Sequence, residues 1–107
     1  MKNYQVVKEN KLKAGYVYLL TNRYDGVLYT GVTSDLIQRI HQHKTKSTES
    51  FSEKYNTCLL VWYECHDDIQ LAILREKQIK KWNRDWKVEL IEEKNPNWND
   101  LYPALLG

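Results

Sequence analysis

Residues 16–43, YVYLLTNRYDGVLYTGVTSDLIQRIHQH, read as two strands joined by a turn and followed at once by a short helix. In the first strand Tyr16, Tyr18 and Leu20 fall on one face and Val17, Leu19 and Thr21 on the other, because strand side chains alternate with a period of two. Asn22 to Gly26 supplies turn chemistry, with Asp25-Gly26 suited to positive backbone dihedrals. Val27 to Val32 resumes the alternation with Val27, Tyr29 and Gly31 on one side. Tyr18 and Tyr29 share a face in one register of the hairpin and lie on opposite faces after a one-residue slip. Thr33 or Ser34 offers an N-cap oxygen, and Leu36, Ile37 and Ile40 give an apolar stripe at helical spacing. Arg39 and His43, four apart, are neighbours on that helix, at the margin of its buried stripe.

A chain of 107 residues is one domain's worth, with one modest core. Sixteen Lys and Arg against fourteen Asp and Glu leave a balance of +2, which permits a polyanionic partner without demanding one. Residues 1–13, with four lysines and one glutamate, read as a basic tail ahead of a single domain at 14–107. They hold no apolar run long enough for a signal peptide or a membrane span, so the expected location is cytoplasmic. Cys58 and Cys65 are two cysteines without the spacing of a zinc or redox motif, and joining Cys65 to His41, His43 and His66 as a zinc site has no diagnostic spacing behind it.

Residues 44–56 read as an exposed loop in which Lys44, Lys46 and Lys54 can touch phosphates and Phe51 or Tyr55 either stack on a base or anchor the loop to the core. Thr57 to Glu64 is a third strand, a near-continuous apolar run suited to a buried central position. A second helix starts near Asp67 or Asp68 and buries Ile69, Ala72, Ile73 and Ile79. Glu76 falls inside that stripe. An unpaired buried charge is expensive, so Glu76 has to meet a cation, a metal or a hydrogen-bond network, with Arg39 and Arg75 as candidate partners. A third helix carries Trp86, Leu90 and Ile91 and stops at Asn95-Pro96. Lys77, Lys80, Lys81, Arg84 and Lys87, interleaved with Trp82 and Trp86, make either a nucleic-acid surface or two core tryptophans with solvated lysines between them; for the tryptophans the core is the expected place.

Tyr16-Val17-Tyr18 and Tyr29-Thr30-Gly31, ten residues apart, with Arg39 ten residues after Tyr29, resemble the two signature motifs of the GIY-YIG nuclease superfamily. FSEKYN, LVWYE, REKQIKKWNRDWK and NPNW extend the likeness to the small stand-alone bacterial members, from about Gly15 to Leu101. The resemblance implies an α/β (α+β) fold, a three-stranded, largely antiparallel sheet flanked by helices in the order β-β-α-β-α-α. It also implies a metal-dependent endonuclease on DNA, branched or damaged DNA included. Glu76 matches the family's ligand for Mg²⁺ or Mn²⁺, Tyr29 its general base or water-positioning group, Tyr18 the partner of that tyrosine, Arg39 a phosphate or transition-state stabiliser, and His43 an accessory group. A phenol is a poor base at its ordinary pKa of about 10, so Tyr29 needs a nearby cation or serves as an orienter.

Three positions depart from the family pattern. Tyr16 stands where the first motif has Gly, Val32 where some members carry a Lys, which points to Lys44 or a metal as the missing cation, and Val88 where some carry an Asn, with Asn83 as the substitute. Two other classes are consistent with the chain: a non-catalytic nucleic-acid-binding module on the same scaffold, and an interaction protein using its tryptophan-rich half. A domain this small is also a candidate for a weak homodimer or a protein partner.

Overall fold

The computed structural model describes residues 13–45 and 55–107. Lys46, Phe51, Lys54 and all of the basic tail but Lys13 lie outside the described residues. The elements are β1 (Gly15–Thr21), β2 (Leu28–Thr33), α1 (Leu36–Thr45), β3 (Leu59–His66), α2 (Ile69–Lys80), α3 (Arg84–Glu92) and α4 (Tyr102–Leu105). The sheet is antiparallel in the order β2-β1-β3.

The expected order is met, with one short helix, α4, added at the end. The central strand, however, is β1 and not the third strand. An apolar strand can lie at an edge when that edge is covered, and residues 95–101 cover β3: Asn95 Nδ2 donates to the Val61 carbonyl at 3.0 Å, Asp100 Oδ1 accepts from Leu60 N at 3.0 Å, and Leu101 N donates to the Leu60 carbonyl at 2.7 Å. The pairing with β1 slips there, between Leu19 and Leu20, so that Leu19 faces Trp62 while Leu20 faces Leu60. Val61 and Trp62 both join the same core cluster as a result.

Each face of the sheet has its own core. Val17, Leu19, Val61 and Trp62 pack with Ala72 and Ile79 of α2, Ile91 of α3 and Trp98. Tyr18, Leu20 and Leu60 pack with Leu36 and Ile40 of α1, and Leu101, Tyr102 and Leu105 lean on that side. Gly15 allows α2 to approach, since a Cβ there would meet Ala72 Cβ at 2.8 Å.

Local chemistry sets the boundaries. In the β1-β2 turn Asp25 takes the positive dihedral (φ 54°) and Gly26 does not, while Asn22 Oδ1 accepts from Val27 N at 2.9 Å. The cap of α1 is Asp35, whose Oδ1 accepts from Gln38 N at 3.2 Å; the expected Thr33 instead accepts from Asp35 N at 3.1 Å. Asp68 caps α2 through Gln70 N and Asn83 caps α3 through Trp86 N. Trp82 packs partly buried against the core, but Trp86 is 54 % exposed, edge-on to Trp82 at 5.9 Å, so it is not the core residue expected.

Candidate active site

The hairpin register decides the first contact. Tyr18 pairs with Gly31 and Leu20 with Tyr29, which puts both tyrosines on the face that α1 covers, with ring centroids 6.3 Å apart. Gly31 makes room for this arrangement, because a Cβ on it would fall inside contact distance of Tyr18 Cζ and Oη. The Tyr18 ring therefore lies across β2.

Helix α1 brings the next two groups. Ile40, fully buried, and Leu36 seat it on the sheet, and the residues flanking Ile40 in the helical lattice, Arg39 and His43, turn toward the tyrosines. His43 Nε2 lies 3.1 Å from Tyr18 Oη, and its ring is 5.4 Å from that of Tyr29. Hydrogen bonding to Tyr18, opposed by burial and reinforced by Tyr29, raises the pKa of Arg39, which stays a cation throughout. A guanidinium only donates, so toward Arg39 the Tyr18 oxygen is an acceptor, while the direction of the Tyr18–His43 bond follows the imidazole tautomer. Burial first, then the Arg39 charge, lowers the His43 pKa to about 4, which makes it a neutral imidazole at pH 7. Burial, opposed by the Arg39 hydrogen bond, pushes the Tyr18 phenol up to about 12. Tyr18 is thus a protonated phenol, held between a cation and a neutral imidazole.

Glu76 enters from α2. It is 7 % exposed and close enough for its charge to add to the rise at Tyr18. Its partner is neither Arg39 nor Arg75. Lys80, one turn on, places Nζ 2.8 Å from Glu76 Oε2, and this hydrogen bond above all raises the lysine's pKa, with the charge of Tyr29 contributing. Arg75 binds Glu64 at 2.9 Å together with His66. At Glu64 burial acts upward but the His66 and Arg75 hydrogen bonds outweigh it, so its pKa is lowered.

The remaining candidates scatter. Lys44 is committed to Asp100 (2.7 Å) and the Cys58 carbonyl (2.8 Å), away from the cation role suggested for it beside Tyr29. Arg84 holds the Asp25 carboxylate at 2.9 Å, Lys77 and Lys81 are exposed, and Asn83 is occupied as a cap. Val88 packs against the core. Among the described residues no three His, Cys, Asp or Glu side chains cluster as a metal site, the Cys65-His66 combination included. Lys87, read from the sequence as part of the basic stretch but not as a site residue, lines a depression of about 300 Å³ with Leu28, Tyr29, Thr30 and Lys80.

Comparison with known proteins identifies the domain. Residues 14–89 match the GIY-YIG catalytic domain. A UPF0213 protein of Haloquadratum walsbyi is 35 % identical over 73 % of this chain and 86 % of its own length, and one of Clostridium perfringens is 35 % identical over 75 % and 85 %. The solution NMR structure of a UPF0213 protein from Bacillus halodurans superposes with a TM-score of 0.51 at 26 % identity, covering 81 % of this chain and 92 % of that one. No helix among the described residues is long and apolar enough to cross a membrane. With two tyrosines, an arginine and a buried glutamate arranged on a sheet of this topology, the chain belongs to the GIY-YIG family of nuclease domains, beside its small UPF0213 members.

Proposed function

We propose that this protein is a metal-dependent endonuclease that hydrolyses DNA phosphodiester bonds. The observation that carries the reading is the convergence of Tyr18, Tyr29, Arg39 and His43 in one cluster, with the buried Glu76 within electrostatic reach.

Glu76 suits a hard divalent cation. A carboxylate oxygen in this position already draws a cation, the Lys80 ammonium, and a single protein ligand is what Mg²⁺ or Mn²⁺ needs when water and substrate phosphate complete its shell. When bound, the metal supplies Lewis-acid stabilisation of negative charge on the phosphate. Everything else falls to the chain itself. As water attacks phosphorus, charge grows on the non-bridging and leaving oxygens, and Arg39, fixed by Tyr18 and Gln42 (3.1 Å), is a preorganised donor for it. Tyr18 holds a proton over the working pH range and so positions Arg39 instead of accepting a proton. Tyr29, with Arg39 and Lys80 both within reach, orients the attacking water or takes its proton.

The test is cleavage of duplex, single-stranded and branched DNA with Mg²⁺ or Mn²⁺ by wild type and Glu76→Gln, with folding of both checked by circular dichroism. Wild-type cleavage that falls to background in Glu76→Gln is the expected result. Equal cleavage by both would remove Glu76 from the reaction. Salt-sensitive DNA binding without cleavage by either would make the domain a non-catalytic nucleic-acid-binding module.

A further inference from the structure

The depression beside Tyr29 continues past it. Leu28 and Lys87 also line a second hollow of about 310 Å³, closed by Val27 and Arg84, so the two form one trough along β2 toward the β1-β2 turn. Its cations come from two successive helices, Lys80 from α2 and Lys87 with Arg84 from α3. Lys80 and Arg84 each face a carboxylate, whereas Lys87, half-buried, makes no ion pair among the described residues. Burial and the neighbouring Lys80 charge both lower the pKa of Lys87. An ammonium partly withdrawn from water and set against a second ammonium is unfavourable by itself and becomes favourable when an anion sits between them.

We infer that this trough receives the sugar-phosphate backbone of the nucleic acid strand, with Lys87 taking the phosphate next to the one positioned at Tyr29. This rests on the nuclease reading and adds the path of the strand to it: along the free edge of the sheet, from Tyr29 past Lys80 and Lys87 to Arg84. Thr30 contributes to the wall of the trough, and no base edge is read there, so the contact is one of backbone and not of sequence.

The measurement is binding of labelled duplex and single-stranded oligonucleotides by fluorescence anisotropy, with divalent metal chelated, over roughly 50 to 200 mM salt. Each phosphate neutralised by a lysine contributes close to one unit to the slope of log K against log salt, so Lys87→Met should lower the slope by about one and weaken binding on the order of tenfold at the low-salt end. Lys87→Arg should restore both. Lys94→Met is the control, an exposed lysine by the β3 residues Val61, Trp62 and Tyr63 at the opposite edge of the sheet, and it should leave the slope alone. A wild-type slope that Lys87→Met does not change, or an equal change in Lys94→Met, would overturn the inference while the nuclease reading stands. Absence of salt-dependent binding by the wild type would also overturn the inference, while the cleavage assay with Mg²⁺ or Mn²⁺ decides the nuclease reading.

Discussion

His43 shows how burial turns a common side chain into a specific instrument. Four per cent exposed and beside Arg39, it stays neutral and hydrogen-bonds Tyr18 through Nε2, while its Nδ1 is buried with no hydrogen-bond partner among the described residues. The same burial ties stability to pH. The folded pKa of about 4 lies below the ordinary 6.5, so the unfolded chain takes up a proton that the folded chain excludes as pH falls. This contribution is whole above about pH 6.5, declines toward pH 4 and changes no further below that. Urea denaturation at pH 7 and pH 5 should therefore show a loss on the order of 2 kcal/mol, and in His43→Gln most of that difference should vanish. Glu76 was readable in advance as a residue out of place in an apolar stripe. Its partner, Lys80 four residues on along the same helix, is a local pair that the spacing also offers, whereas the expected Arg75 is drawn off by Glu64 on β3.

At the level of elements, β2 shapes the tyrosine cluster through what it lacks. Gly31 has no side chain, and the Tyr18 ring uses that space to reach Arg39 and His43. Gly31→Ala should displace the ring, cost on the order of 1–3 kcal/mol in unfolding free energy, and reduce cleavage more than its stability loss alone accounts for. Comparing cleavage at a temperature where both proteins are fully folded separates the two effects. The hairpin and helix α1 were visible in the alternation of residues 16–32 and the spacing of Leu36 and Ile40. The register was not, since a two-residue period is satisfied equally by a pairing that separates the tyrosines; it is the observed pairing of Tyr18 with Gly31 that joins them.

Across the whole molecule, the C-terminal segment beyond the matched catalytic domain works as a clamp. Asp100 accepts from Leu60 N at 3.0 Å and Tyr102 N at 3.1 Å and holds Lys44 of α1 at 2.7 Å, so it joins β3, α4 and the helix that delivers Arg39 and His43. Asp100→Ala should destabilise the fold by about 2–4 kcal/mol, because it strands a backbone donor of β3 and frees a half-buried lysine. Thermal unfolding measures the loss, and Asp100→Asn, which keeps an acceptor for Leu60 N, should recover part of it.

Sequence alone determined the order of strands and helices, the two faces of β1, the anomalous position of Glu76 and the likeness that ties Tyr18, Tyr29 and Arg39 together, because each is written in local periodicity or in fixed spacing along the chain. Tertiary structure alone decided that β1 is central and β3 an edge, that Lys44 braces the C-terminus, and that Lys87 opens onto Tyr29. These depend on which distant segment reaches a group first: residues 95–101 satisfy the outer edge of an apolar strand, Asp100 captures a lysine 56 positions away, and two helices meeting beside β2 bring their cations to one tyrosine.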